Sequence, residues 1–208
     1  MNTTKSNTHF LGLFSIVENA ESLIVELAKE FYKYPPDTPD AVIIGHLFDH
    51  NHWDIFGKIR MGIIINTTSS EAIKITQIKP FSFTYLANKF DLAIDFIPTE
   101  VEPQSVIYGP QNPKIIDDET TKWFAQKQKE QFEQTVVIYN ETIEKGISPK
   151  TARMLLPLST RTAIVMMGEV PNWIQFLRSR TGDTTIDNLI LPIKEVFDKE
   201  LPTIGALF

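Results

Sequence analysis

Two arginines stand apart from the other charges of this chain. Arg153 lies in Lys150-Thr-Ala-Arg153-Met-Leu-Leu-Pro157, on a short apolar helix before a Leu-Pro break, and Arg178 ends Asn172-Trp-Ile-Gln-Phe-Leu-Arg178, the close of the next helix. A guanidinium set among apolar residues is suited to anion binding, because its planar fork offers paired N–H donors to a phosphate or carboxylate. The competing reading is a pair of surface salt bridges or helix C-terminal charges. His46, His50 and His52, with Asp49 between them, form a second constellation. His46 and His50 are one helical turn apart, and imidazoles at that spacing can share a divalent ion. A zinc centre needs a third protein ligand, and no general-base glutamate stands between them, so these residues read as solvated helix-end histidines and no metal site is assigned. The chain has no Gly-rich phosphate loop, no Gly-x-Ser-x-Gly elbow and no His-Glu-x-x-His. With no cysteine it has no disulfide, thiolate zinc site or cysteine nucleophile.

The elements that must position these groups can be read from hydrophobic period and punctuation. With 208 residues, 42% hydrophobic and 22% charged, one globular domain over residues 1–208 is expected. A net charge of −6 argues against a surface that tracks a polyphosphate, while leaving room for a local basic pocket that holds one nucleotide; nucleic acid is not expected as a partner. No apolar run reaches about eighteen residues and the N-terminus lacks the order of a signal peptide, so a soluble, cytoplasmic protein without membrane contact is expected. Leu23, Leu27, Phe31 and Tyr34 predict a helix over 18–34, stopped at Pro35-Pro36. Thr38 as N-cap and Pro39 as first residue predict another through His50, with Val42, Ile43, Leu47 and Phe48 inward. Ile59, Met61, Ile63 and Ile65 alternate as a strand; Ser69 or Ser70 caps a short helix to Ile78, and Phe81, Phe83 and Tyr85 predict a buried aromatic strand facing one way. Residues 91–118, with four prolines, read as a long loop. A long helix follows over 119–145 with a seam of Phe132, Val136, Tyr139 and Ile143, stopped at Gly146, and Ser148-Pro149 opens the next. A strand over 161–167 and helices over 171–180 and 186–201, the last kinked at Pro192, complete an α+β order.

The run Ala152-Arg153-x-x-Leu156-Pro157-Leu158, then Thr162, Gly168, Trp173-Ile174 and Leu177-Arg178, resembles the flavin-dependent thymidylate synthases, the ThyX family, in order and spacing. His52-Trp-Asp-Ile-Phe56 is similar to the family's His-x-x-x-Phe-Glu box, with Gly57 in place of the glutamate. The passage from Ile63 to Ile73 resembles the segment leading into the family's Arg-His-Arg signature. That core falls on Lys79-Pro80-Phe81, with Ser82-Phe83 following and Lys89 at the signature serine. Gln77 and Asn88 each stand one residue from the positions of the family's glutamine and serine, while Thr184, Thr185, Ile186 and Asp187 replace its late Gln-x-Glu. The resemblance covers roughly residues 16–90 and 135–204.

What the resemblance implies is a ThyX-like α+β fold, helices around a small central sheet, in a homotetramer whose active sites form between subunits. The implied reaction is reductive methylation of deoxyuridylate (dUMP), with methylene-tetrahydrofolate giving the carbon and reduced FAD the hydride. In that scheme Lys79, Arg153, Arg178 and Gln77 bind the substrate, Arg178 as the residue nearest the chemistry, while His52, Lys79, Ser82 and Asn88 border FAD. The rewritten signature, Gly57 and the lost Gln-x-Glu open two alternatives: a pseudoenzyme serving as a binding, regulatory or structural subunit, or an enzyme for another pyrimidine nucleotide.

Overall fold

The computed structural model describes residues 11–86, 94–99, 101 and 116–208. The chain forms two compact units, one of residues 1–67, 71–87 and 162–208 and the other of 68–70 and 88–161.

The first unit is built on strands β1 (Leu11–Ile16), β2 (Arg60–Thr68), β3 (Ser82–Tyr85) and β4 (Arg161–Glu169), which form one sheet in the order β1-β2-β4-β3. β1 and β2 are antiparallel, from Leu11 opposite Ile65 to Ile16 opposite Met61, with a register shift between Leu13 and Ser15. β3 and β4 are antiparallel as well, from Ser82 opposite Met167 to Tyr85 opposite Ile164. β2 places Met61, Ile63 and Ile65 on the core side, where all three are fully buried, the alternation expected of a strand covered on one face. The helices are α1 (Ala20–Tyr32), α2 (Asp40–Asp49), α3 (Trp53–Phe56), α4 (Ser69–Ile75), α7 (Val170–Arg178), α8 (Thr184–Glu200) and α9 (Pro202–Gly205). Their apolar faces pack with the sheet into one core that includes Ile24, Leu47, Phe56, Trp173, Ile193 and Phe197.

The structure changes several details of the expected pattern. β1, α3 and α9 were not expected at all. In α1 the buried line is Ile24, Val25 and Ala28, with Leu23 and Leu27 at its margin, whereas Phe31 is exposed and Tyr34 lies beyond the helix end. Lys33 ends α1 in the left-handed conformation (φ 53°), its N–H donating to the Lys29 carbonyl. α2 starts at Asp40 with Pro39 as its cap residue, and it buries Ile43, Ile44 and Leu47 while Val42 points to solvent. The strand expected from Phe81 begins at Ser82. Phe81 is buried and Phe83 packs at the core's edge, but Tyr85 is exposed at the end of β3, an edge strand of the sheet. α8 continues through Pro192 with Asp183 as its N-cap.

The second unit carries α5 (Asp118–Glu144), capped by the Asp117 carboxylate on the Thr120 N–H, and α6 (Pro149–Ala152), which runs into a 3-10 turn at Arg153–Leu155. Of the expected α5 seam, Phe132 is buried and Val136, Tyr139 and Ile143 are half-buried. Phe96 pairs with Thr160 in an isolated bridge, and its ring lies 4.7 Å from that of Phe132. Most of the expected 91–118 loop falls outside the described residues.

Candidate functional site

α7 is the element that decides the site. Pro171 stands in its first turn, where a missing N–H costs nothing. Trp173, Ile174, Phe176 and Leu177 bury one side, so Asn172, Gln175 and Arg178, three residues apart, share the other. These three, with Trp53, Pro171, Ile174 and Ser179, line a pocket of about 600 Å³ in the first unit. Ser179 Oγ is spent on the Phe176 carbonyl, to which it donates at 2.7 Å.

The Arg178 guanidinium carbon lies 5.2 Å from the ring centre of Phe48 and 5.3 Å from that of Phe208, within cation–π range of both. Those two rings are parallel to within 9° with centres 6.5 Å apart. Among the described residues no carboxylate pairs with Arg178. The pocket therefore has neutral walls and one uncompensated cation, an arrangement that favours an anionic ligand with polar ring edges.

The loop after Arg178 is built by the residues that replace the late Gln-x-Glu. Asp187 accepts from Thr181 N (2.9 Å), Thr181 Oγ (3.0 Å) and Gly182 N (3.1 Å). The Thr181 N–H above all holds the Asp187 carboxyl below the usual carboxylate range. Asp183 caps α8 through the Thr185 N–H and pairs with Lys74 at 3.2 Å.

Around Lys79-Pro80-Phe81 the side chain that packs is aromatic. Phe81 lies with its ring centre 4.6 Å from Trp173 and 5.8 Å from Phe176, and a side chain on Gly168 would meet Phe81 Cδ1 at 2.5 Å. Trp173 in turn donates through Nε1 to the Met61 carbonyl at 3.1 Å. Gln77 and Lys79 are exposed at the end of α4 and beyond, and Lys79 has no ion-pair partner among the described residues. Ser82 Oγ donates to the Met167 carbonyl at 3.3 Å. Asn88 and Lys89 lie outside the described residues. A Cβ on Gly57 would stand 3.4 Å from Glu169 Oε2, so the end of β4 brings a carboxylate to the place where the box lacks one.

His52 sits in a cluster of flat rings. Its Nδ1 is 2.9 Å from the Tyr32 hydroxyl, His46 Nδ1 meets the Tyr34 hydroxyl, and His50 Nδ1 donates to the His46 carbonyl at 2.9 Å. The His46 and His50 ring centres are 4.2 Å apart, and those of Tyr32 and His52 4.7 Å. Since the carbonyl can only accept, the His50 proton is on Nδ1. No group of three His, Asp or Glu among the described residues is placed to hold a metal ion.

The sequence-derived site residues thus divide. His52, Gln77, Lys79, Ser82 and Arg178 belong to the first unit and Arg153 to the second, half-buried at the start of its 3-10 turn. Trp53, the neighbour of His52, lines the Arg178 pocket, whereas no hydrogen bond or ion pair joins Gln77, Lys79 or Ser82 to Arg178. Sequence reasoning missed Gln175, Glu169, Phe48 and Phe208 as site residues. Only Gln175 carried a signal, the polar spacing 172, 175, 178 along an otherwise apolar helix.

Comparison with known proteins shows the family. Residues 12–203 match the family model described as thymidylate synthase complementing protein. The chain is 32% identical over 158 residues, 74% of each chain, to a flavin-dependent thymidylate synthase of Synechocystis sp.. It is 29% identical over 168 residues, 78% of this chain and 77% of the relative, to a probable flavin-dependent thymidylate synthase of Paramecium bursaria Chlorella virus 1. A flavin-dependent thymidylate synthase of Haloarcula marismortui is 28% identical over 137 residues.

Proposed function

The chain belongs to the thymidylate synthase complementing protein family, and from that membership we propose that it is a flavin-dependent thymidylate synthase. Its reaction is the reductive methylation of dUMP, with methylene-tetrahydrofolate as carbon donor and FAD as cofactor. The observation that carries this reading is Arg178, a cation without a carboxylate partner among the described residues, at the wall of a pocket lined by Trp53, Asn172 and Gln175. Such a group neutralises a phosphate or polarises a pyrimidine carbonyl, stabilising negative charge that develops on that oxygen. By the resemblance to the family, Arg153, Lys79 and Gln77 are also assigned to the nucleotide.

The residues present fit a flavin. The clustered rings of Tyr32, His46 and His50, all exposed, and of half-buried His52 offer faces of the kind an isoalloxazine covers, and Lys79 is a cation with no carboxylate partner among the described residues, suited to a diphosphate as a point charge. His52, Lys79, Ser82 and Asn88 are the residues assigned to it. FAD held there, once reduced to its hydroquinone by an external two-electron donor, would supply the hydride that takes the transferred one-carbon unit to a methyl group. The protein's part is to orient the nucleotide through Arg178, exclude water with Trp53 and Ile174, and hold charge near the pyrimidine.

Self-association to a homotetramer is part of the proposal. In the second unit Trp123, Val137, Ile138, Met154, Leu155 and Leu158 are all exposed, Met154 at 85%, and α5 buries only Phe132 along 27 residues. Exposed apolar surface on that scale is what an interface between copies would cover. The family match runs through both units, which supports a single functional domain. No helix among the described residues is long and apolar enough to cross a membrane.

A second reading, a non-catalytic subunit of the same family, is favoured by Phe81, which fills with aromatic packing the place where the resemblance puts an arginine. Fluorescence titration with FAD, with dUMP added at saturation, followed by tritium release from 5-tritiated dUMP, separates the two. The synthase reading requires saturable flavin binding and tritium release that Arg178→Ala abolishes. Binding without release supports the subunit reading, and no binding of flavin at high micromolar concentration refutes the synthase.

A further inference from the structure

Resting on the nucleotide reading above, we propose that Phe208 and Phe48 form an aromatic seat that positions the Arg178 guanidinium while leaving its charge and its N–H donors open to the nucleotide. A carboxylate partner would orient the same side chain, but it would occupy two donors and cancel the charge. Ring faces attract the cation and use no donor. Two near-parallel rings, each within 5.3 Å of the guanidinium carbon, give it two cation–π contacts at once. The last residue of α7 also lies at the helix end that favours a cation.

The seat is itself held. Phe48 packs edge-on against Trp53 at 5.4 Å, and Phe208 against Phe197 at 5.7 Å. Lys194 lies 4.7 Å over the Phe208 ring. It does not compete with Arg178 for the ligand, because its ammonium is tied to the Asp198 carboxylate and to the Gly205 carbonyl at 3.1 Å. The segment leading to Phe208 is anchored where the Glu21 carboxylate accepts the Ile204 N–H at 2.9 Å. Phe208 and Phe48 are positioning residues that act through Arg178.

The test is to replace Phe208 with mono-, di- and trifluorophenylalanine by codon suppression in the full chain, which drains the ring face of negative charge while keeping its shape. dUMP affinity is measured together with FAD affinity and Tm. The seat predicts a graded loss reaching about two- to tenfold in dUMP affinity, with Tm and FAD affinity unchanged and Phe208→Tyr close to wild type. A flat dUMP affinity across the series overturns it. If the wild-type protein binds no dUMP, the nucleotide reading fails, and the seat is decided by the Arg178 Nε–H resonance. An upfield ring-current shift that Phe208→Leu and Phe48→Leu each relieve upholds the seat. A resonance at the ordinary position in the wild type overturns it.

Discussion

Replacing Gly168 by alanine tests how rigidly the aromatic cluster around Phe81 is packed against β4. The new methyl carbon would stand 2.5 Å from Cδ1 and 2.6 Å from Cε1 of Phe81, about 1 Å inside normal carbon contact. Neither side can yield cheaply. Phe81 is only 7% exposed and is held by Trp173 and Phe176, while the backbone of β4 is fixed by its pairing with β3 next to Gly168, at Met167 opposite Ser82. Overpacking at such a point costs about 1–3 kcal/mol, and the rigid ring cluster puts Gly168→Ala at the upper end, about 3 kcal/mol. For a chain of this length that lowers Tm by about 6–12 °C and the urea midpoint by about 1–1.5 M. The assay is urea unfolding followed by circular dichroism, run as a double-mutant cycle with Phe81→Ala. Phe81→Ala alone costs about 3–5 kcal/mol through the cavity it leaves, and in its background Gly168→Ala should cost nothing, because the methyl then enters empty space. An unchanged midpoint for Gly168→Ala, or an equal penalty in both backgrounds, would refute the reasoning.

Trp173→Phe removes the buried donor to the Met61 carbonyl and should cost about 1–3 kcal/mol for the orphaned acceptor, read as a lower urea midpoint at an unchanged m-value. Asp187→Asn acts on pH dependence. Because the folded-state pKa of Asp187 is depressed, first by the Thr181 N–H, its contribution is complete above the unfolded value of about 3.9 and is lost as pH falls through the lower folded value. Thermal melts between pH 5 and 2 should show a flatter acid limb in the variant, and identical limbs would remove Asp187 from that role.

Helices with strong punctuation were legible in the chain. Pro35-Pro36 bounds α1 from just beyond its Lys33 cap, Gly146 closes α5 and Ser148-Pro149 opens α6, each by backbone chemistry that acts locally. β1 gave no such signal. Gly12 interrupts it, Leu13 and Phe14 are both exposed, and its register shifts at Leu13 and Ser15, so it lacks the strict alternation of a half-buried strand. For the candidate site, the position of Arg178 at a helix end was legible because its neighbours Trp173, Ile174 and Leu177 are spaced by the helix. Phe48 and Phe208 were not, since what relates them to Arg178 is a tertiary contact across 160 positions of sequence between the two rings, and no local pattern encodes it. Glu169 was hidden for the same reason: its relation to Gly57 exists only once α3 and α7 pack.

The order of the sheet has a consequence for how the chain is made. β2 lies between β1 and β4, yet β2 ends at Thr68 and β4 does not begin until Arg161, with the whole second unit intervening. A nascent chain emerging from the ribosome therefore carries a paired β1 and β2 whose inner edge stays open while α5 and α6 are synthesised. Closing that edge joins distant residues, which makes it a slow step governed by loop-closure entropy. During that interval the unpaired backbone N–H and C=O groups along the inner edge of β2 are open to pairing with another chain, so yield during expression should depend on the rate of translation through α5 as much as on the stability of the finished fold.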